Sequence, residues 1–172
     1  MKNTFEYGLY IADLAAYNNG ILHGVWVNAE EDINDMMTQI FAMLAQSPIC
    51  GAEEWAIHDY DGFDGIHLSE YEDLNKISEY VCFLNEYPDI GAMLLNYYDN
   101  DLNEAERAGT ERYHGCYETI GDYARDIMEE CHGIPAFIEY YIDYDKLGRD
   151  MELNGEIFTL EADHKLYVFS GC

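Results

Sequence analysis

Negative charge dominates this chain. It carries 35 Asp and Glu residues against 8 Lys and Arg, which gives its 172 residues a formal net charge of −27 at pH 7. A folded surface with this charge repels the phosphates of nucleic acids and the head groups of anionic membranes. The sequence therefore excludes direct nucleic-acid binding and predicts no association with a membrane.

The charge is spread over the whole chain and is not collected in a tail. Residues 1–68 hold 11 acids and 1 base, residues 69–110 hold 10 acids and 2 bases, and residues 111–172 hold 14 acids and 5 bases. Hydrophobic residues make up 49% of the sequence, which is enough apolar surface for folded cores. We therefore expect an α+β protein of three small domains in a row: an N-terminal α+β domain (1–68), a central helical domain (69–110) and a C-terminal α+β domain (111–172).

Cysteine usage and hydropathy predict a soluble, cytoplasmic protein. The five cysteines are odd in number and show no C-x-x-C spacing, which is typical of free thiols in a reducing compartment. Residues 1–7 lack the apolar run of a signal peptide. No apolar stretch approaches the roughly 18 residues that a membrane-spanning helix needs.

Periodicity predicts a hairpin, a helix and a third strand in the first third. The expected elements are strands over 7–13, 21–27 and 54–59 and a helix over 29–46. Asn19-Gly20 between the first two strands is typical of a tight hairpin turn, because both residues tolerate a positive φ. Asn28 is expected to cap the helix, with Glu30, Glu31 and Asp32 in its first turn.

The middle third reads as helical and the last third as mixed. Ser69 and Glu72 form a capping box before a helix, Pro88 suits the first turn of the next one, and a short helix is expected over 102–108. The last third is predicted to contain a strand over 112–117, a helix over 119–131 ended by Gly133, a helix over 136–147 opened by Pro135, and a closing hairpin of 157–161 and 166–169 around Asp163-His164.

No residue pattern predicts catalysis or a metal site. A calcium loop starting at Asp99 would need Gly at position six and Glu at position twelve, where the chain has Glu104 and Thr110. The histidines form no zinc signature, and the chain has no nucleophile elbow, Walker loop or dinucleotide-binding glycine loop. His58 beside Asp59 has two interpretations, a base with its orienting carboxylate or a half-buried strand histidine, and we favour the second. We expect no enzymatic activity, no cofactor and no metal.

The charge itself suggests a function. Duplex DNA carries about one negative charge per 1.7 Å, so a net charge of −27 corresponds to roughly 46 Å of duplex. A protein with this charge can occupy a DNA-binding groove in place of DNA. Two other interpretations remain at this point: a generic acidic module that binds a basic protein, and an acidic surface adapted to high salt.

Segments at three places along the chain resemble the ArdA family of antirestriction proteins. The segments Leu9–Leu14 (LYIADL), Tyr17–Gly20 (YNNG) and Gly24–Trp26 (GVW) resemble the opening hairpin of that family. Glu53–Tyr60 (EEWAIHDY) is similar to its next signature, and Ile134–Asp150 (IPAFIEYYIDYDKLGRD) to its C-terminal antirestriction motif. The middle third is similar only in helical character and acidity.

This resemblance implies a specific biology. ArdA proteins are small, elongated, curved dimers that imitate bent B-form DNA and are carried by conjugative plasmids and transposons, which are mobile genetic elements. They occupy the DNA-binding groove of type I restriction-modification enzymes, at the methyltransferase core, and block restriction and often modification. The implied fold has three small domains in a row, with the homodimer formed through the C-terminal one, here 111–172.

Two sets of residues follow from this interpretation. The carboxylates expected to form the DNA-mimicking surface are Glu30, Glu31, Asp32, Asp35, Glu53, Glu54, Asp59, Asp61, Asp64, Glu70, Glu72, Asp73, Asp99, Asp101, Glu104, Asp122, Asp126, Glu129, Glu130 and Asp163. The residues assigned to the antirestriction motif and the dimer interface are Ile138, Tyr141, Ile142, Asp143, Tyr144, Leu147, Arg149 and Asp150. Arg149 is expected to pair with a nearby acid such as Asp143 or Asp145.

Overall fold

The computed structural model describes residues 3–132 and 134–171. Within these residues, helices are combined with the strands of two three-stranded antiparallel sheets, which confirms the α+β class. Backbone contacts divide the chain into two compact units, the first ending at Ala92 and the second beginning at Met93. The division into three domains at residues 68 and 110 stays a prediction.

The first unit is a sheet covered by helices. Its elements are β1 (Gly8–Asp13), α1 (Leu14–Asn18), β2 (Gly24–Asn28), α2 (Ile33–Ala45), β3 (Trp55–Asp61) and α3 (Leu74–Glu86). The strand order is β2-β1-β3, so β1 is central, and its Leu9 pairs with Val27 on one side and Tyr60 on the other. Met36 and Ile40 of α2 are fully buried with Leu9, and they place the apolar face of α2 in the core.

The connection between β1 and β2 differs from the expected tight turn. The two strands pair as predicted, but α1 lies between them. Only Gly20 takes a positive φ, +74°, whereas φ of Asn19 is −95°. The N–H of Gly20 donates to the carbonyl of Tyr17 (2.9 Å), and the N–H of Ile21 donates to that of Ala16 (3.0 Å). This is the Schellman arrangement, so Asn19-Gly20 ends a helix and does not form the hairpin turn.

The helix after β2 begins later than predicted. Asn28 Oδ1 accepts from the N–H of Glu30 (3.1 Å) in a local turn, and the expected first-turn acids Glu30, Glu31 and Asp32 precede the helix. Asp32 is the cap of α2, because its Oδ1 accepts from the N–H of Asn34 at 2.8 Å. Asn28 therefore stabilises the turn that follows β2 and does not cap α2.

The start of α3 is displaced in the same way. Glu72 Oε2 accepts from the N–H of Ser69 (3.3 Å), so half of the predicted capping box forms, but within a turn. Asp73 caps the helix by accepting from the N–H of Asn75 at 2.9 Å. The predicted apolar stripe of this helix is correct, since all four of its residues are buried: Leu74, Ile77, Val81 and Leu84.

The second unit also combines one sheet with helices. Its elements are α5 (Leu102–Arg107), a π-helical turn (Ala108–Arg112), β4 (Tyr113–Tyr117), α6 (Ile120–His132), α7 (Ala136–Glu139), α8 (Tyr144–Leu153), β5 (Ile157–Ala162) and β6 (Lys165–Ser170), while α4 (Gly91–Tyr97) contains the point where the two units divide. The strand order is β4-β6-β5, and Val168 of β6 is fully buried in its core. The closing hairpin is confirmed: Ala162 pairs with Lys165, and Asp163 and His164 both have positive φ, as a type I′ turn requires.

The single helix expected over 136–147 is wrong. The chain forms the short α7, which ends at Glu139, and begins α8 at Tyr144. Asp143 causes the restart, because its Oδ1 accepts from the N–H of Lys146 at 3.0 Å and caps α8. Gly133, expected to end the preceding helix, lies outside the described residues.

Candidate functional site

Almost every carboxylate of the chain lies at the surface. All 35 acidic residues fall within the described ranges, and 30 of them are exposed, four are half-buried and one is buried. Of the twenty carboxylates assigned to the mimicking surface, sixteen are exposed, and the half-buried ones are Glu31, Glu72, Glu104 and Asp122. The candidate site is therefore an extended charged surface and not a pocket.

Basic side chains neutralise few of these carboxylates. In the described part of the chain, ion pairs join Lys76 to Glu72 (3.1 Å), Arg107 to Glu104 (2.8 Å) and Glu111 (3.8 Å), and Arg112 to Glu104 (3.0 Å). Two arginines thus share Glu104. Pairs that reach solvent contribute about 0–1 kcal/mol each, although the Arg112 side chain is only 15% exposed, and these four pairs leave the overall charge of the surface negative.

Several surface acids also begin helices. The N-caps of α2, α3, α5 and α8 are, in that order, Asp32, Asp73, Asp101 and Asp143. At α6, Asp122 Oδ2 accepts from the hydroxyl and the N–H of Thr119 (2.6 and 3.1 Å), and its own N–H donates to that hydroxyl. Hydrogen bonds from the backbone and side chain of Asn75 lower the pKa of Asp73, because they favour its ionised form.

The clearest row of charges lies on α6. Asp122, Asp126, Glu129 and Glu130 follow one another at spacings that place them on one face of this helix. Eight residues at about 1.5 Å each give roughly 12 Å, an average of about 4 Å per charge over unequal steps of four, three and one residues. A single DNA strand carries one charge per about 3.4 Å, so the density of charge along this row is close to that of a phosphate backbone.

The antirestriction-type segment exposes aromatic and aliphatic side chains between acids. Of the predicted interface residues, Ile138 and Tyr141 are exposed, as are the charged Asp143, Arg149 and Asp150. Ile142 and Leu147 are half-buried. Tyr144 is buried, with the Arg125 guanidinium 5.1 Å from its ring, so it belongs to the core of the unit. Phe137 and Tyr140, which were not assigned to the interface, are 75% and 91% exposed.

The ion pair expected for Arg149 is not formed. Among the described residues, its guanidinium has neither Asp143 nor Asp145 within ion-pair distance. Instead, it lines an open cleft of about 540 Å³ together with Glu118, Glu152 and Glu161. The cleft is a depression in the charged surface of the second unit.

The possible base at His58 takes a structural role. His58 is the extra residue of a bulge in β3, since Tyr10 pairs with Asp59 and Ile11 with Ile57. Its ring contacts that of Tyr17 at 4.5 Å, and Asp59 Oδ1 accepts from the N–H of Tyr60 (2.9 Å). Within residues 3–132 and 134–171, no cluster of three His, Cys, Asp or Glu side chains is arranged to hold a metal ion. No helix in these ranges is long and apolar enough to cross a bilayer.

The first unit also contains an aromatic groove that was not predicted from the sequence. Tyr71, in the loop before α3, is 70% exposed and lies beside Trp55 of β3. The signal available in the sequence was an isolated aromatic residue between two acids, Glu70 and Glu72, outside any apolar periodicity. Such a residue is not part of the apolar face of a helix or strand, so we expect its side chain to be exposed.

Comparison with known proteins gives one family. The family model described as Antirestriction protein (ArdA) matches residues 9–165. The matched range contains all the motif segments named above and elements of both units. The search of curated proteins gave no match.

Proposed function

This chain belongs to the ArdA family of antirestriction proteins, and on that premise we propose that it inhibits type I restriction-modification enzymes by occupying their DNA-binding groove in place of DNA. The observation that carries the proposal is the exposure of 30 carboxylates out of 35. A DNA-binding groove presents Lys and Arg side chains that neutralise phosphates, and an array of carboxylates satisfies the same side chains.

The row on α6 supports mimicry beyond net charge. Its four carboxylates lie within about 12 Å along one helix, an average density close to that of phosphates along one strand, so the row can meet several basic side chains of a groove. An acidic surface adapted only to salt has no need of such a dense row on one helix face. A salt-adapted protein would also require molar salt to fold. A normal melting temperature of this protein in dilute buffer would therefore contradict the salt-adaptation interpretation. A generic acidic module remains the second candidate.

We further propose that the protein acts as a homodimer formed through the C-terminal segment. Four exposed apolar or aromatic side chains lie close together in this segment and are followed by Asp143 and Asp145: Phe137, Ile138, Tyr140 and Tyr141. Exposed aromatic side chains clustered in this way are typical of surfaces that become buried on association. Dimerisation doubles the number of carboxylates offered to one enzyme.

A competition assay tests the inhibitory mechanism. A labelled duplex is bound to a purified type I methyltransferase core, and we expect this protein to displace it. One neutralisation, Glu129→Gln, should weaken binding about five-fold at most, because one exposed ion pair contributes about 0.2–1 kcal/mol. The triple variant Asp126→Asn, Glu129→Gln, Glu130→Gln should bind more weakly than the single variant. Its affinity should also depend less steeply on salt concentration than that of the parent.

The matched control keeps the charge and changes the side chains. The variant Asp126→Glu, Glu129→Asp, Glu130→Asp should compete like the parent, because mimicry depends on charge and not on one specific contact. If Glu129→Gln alone abolished inhibition with the fold intact, a specific-contact inhibitor would be the better account. We expect no catalytic turnover of the duplex or of the enzyme.

A further inference from the structure

The first unit contains a groove walled by two aromatic side chains. Trp55 begins β3 and Tyr71 lies in the loop before α3, and together they line two adjoining cavities of about 340 and 360 Å³. We call this feature the Trp55–Tyr71 groove. Its remaining apolar lining comes from Leu14, Ile33, Met37 and Leu74.

Hydrogen bonds hold the walls of the groove in place. The N–H of Ile57 in β3 donates to the carbonyl of Glu70 (2.9 Å), which ties the loop carrying Tyr71 to the sheet. On the other side, the N–H of Leu14 donates to the carbonyl of Glu54 at 3.1 Å. The capping contact of Asp73 with Asn75 fixes the third edge. The groove is therefore built by the fold before any partner arrives.

Carboxylates surround this apolar surface. Glu53, Glu54 and Asp73 line the two cavities and are exposed, whereas Glu72, also in the lining, is paired with Lys76. A purely apolar ligand would bury these carboxylates without a partner, which is unfavourable. A cation without an apolar stem would leave the aromatic walls unused. The lining thus requires both parts in one ligand.

An arginine side chain has both parts. Its methylene stem packs on apolar surface, and its planar guanidinium stacks on aromatic rings and donates two parallel hydrogen bonds to a carboxylate. We propose that the Trp55–Tyr71 groove receives an arginine side chain of the protein partner that the acidic surface binds. The identity of that partner rests on the proposed function, but the chemistry of the groove does not.

The proposal separates two kinds of contact in one complex. The carboxylate surface attracts a basic groove collectively, and the Trp55–Tyr71 groove holds one buried anchor of the kind that dominates many interfaces. Tyr71 is the residue that distinguishes them, because removing its ring leaves the net charge of the protein unchanged. Collective charge alone predicts no effect of that removal.

The first arm of the test is the duplex competition assay on the methyltransferase core. We expect Tyr71→Ala to lose about five- to ten-fold in affinity, the range of a partly desolvated cation–π contact, and Tyr71→Phe to stay close to the parent. Tyr17→Ala is the matched control, since Tyr17 is also an exposed tyrosine of the first unit and lies outside the groove. Parent-like inhibition by a folded Tyr71→Ala variant would overturn the proposal.

The second arm needs no restriction enzyme. The protein labelled with ¹⁵N-tryptophan is titrated with the blocked peptides Ac-Gly-Arg-Gly-NH₂ and Ac-Gly-Gln-Gly-NH₂ at millimolar concentrations. The arginine peptide should shift the indole resonance of Trp55 and leave that of Trp26, the internal control. Equal shifts with both peptides, or none with arginine, would overturn the groove. If the parent fails to displace duplex, the proposed function is wrong, and this arm alone decides the groove.

Discussion

Asp13 differs from every other carboxylate of the protein. It is fully buried and caps α1, where its Oδ1 accepts from the N–H of Ala16 at 3.1 Å. Burial by itself raises the pKa of Asp13, but polar contacts with the Ser47 hydroxyl and with the backbone amides of Ala16 and Ala15 outweigh it, so the net pKa lies below the ordinary value. Oδ2 meets no donor in good hydrogen-bond geometry, so the Ser47 contact is a loose one.

The pKa of Asp13 predicts a pH-dependent loss of stability in Asp13→Asn. Asn keeps the capping acceptor but not the charge, and hydrogen bonds to a charged group contribute about 1.5–3 kcal/mol, so we expect a loss of about 1–2 kcal/mol at pH 7. Because the folded-state pKa lies below the unfolded-state pKa, this contribution is complete above the unfolded-state value and disappears as the pH falls through the folded-state value. Urea unfolding of both proteins between about pH 3 and pH 7 measures the difference.

An exposed acid provides the control for this measurement. Asp64→Asn removes one charge at a surface position whose positive φ, 44°, Asn also tolerates. It should change the free energy of unfolding little at any pH. A loss in Asp13→Asn that stayed constant from pH 7 to pH 3 would contradict the role assigned to the ionised carboxylate.

At the scale of the elements, the sequence predicted which helices and strands exist better than where they begin. Apolar periodicity predicted α3 correctly, and its apolar stripe is buried. The closing hairpin was predicted from the two-residue turn Asp163-His164 between two strand-like segments. Helix starts were less predictable, because several side chains within a few residues can cap. Asn28 competes with Asp32, and tertiary packing selects the one whose helix buries its apolar face.

The candidate site was also predictable only in part. Charged side chains stay in water, so composition alone was sufficient to predict an acidic surface. The Trp55–Tyr71 groove depends on a loop that one backbone hydrogen bond ties to a strand. The burial of Asp13 depends on contacts from a segment distant in the sequence. Neither arrangement has a signature in local periodicity.

The cap of α8 allows the structural and electrostatic roles of one acid to be separated. Asp143→Ala should destabilise the protein by about 1 kcal/mol, because Ala cannot accept from the N–H of Lys146, whereas Asp143→Asn should be close to the parent. Both variants lose the same charge. They should therefore compete equally with duplex for the methyltransferase core at temperatures well below melting. Thermal melts and the competition assay give the two readouts, and equal melting temperatures of the two variants would contradict the capping role.

For the whole molecule, net charge opposes the homodimer that we propose. Two chains of −27 repel each other, so the buried apolar contact must exceed that repulsion. Salt screens the repulsion over a Debye length of about 10 Å at 0.1 M but about 30 Å at 0.01 M. Association of this protein should therefore strengthen as ionic strength rises, opposite to the salt dependence of its binding to a basic enzyme.

Sedimentation at micromolar concentration tests this balance. We expect a dimer at physiological salt, partial dissociation at 0.01 M, and a shift towards monomer at both salt concentrations in Tyr141→Ala, since Tyr141 is 82% exposed in the isolated chain and has little packing within it to lose. Tyr17→Ala, an exposed tyrosine of the first unit, should remain dimeric. The monomeric variant should still bind the methyltransferase core, but more weakly, because each particle offers half the carboxylates. A monomeric mass of the parent at physiological salt would contradict the dimer and leave inhibition to the single chain.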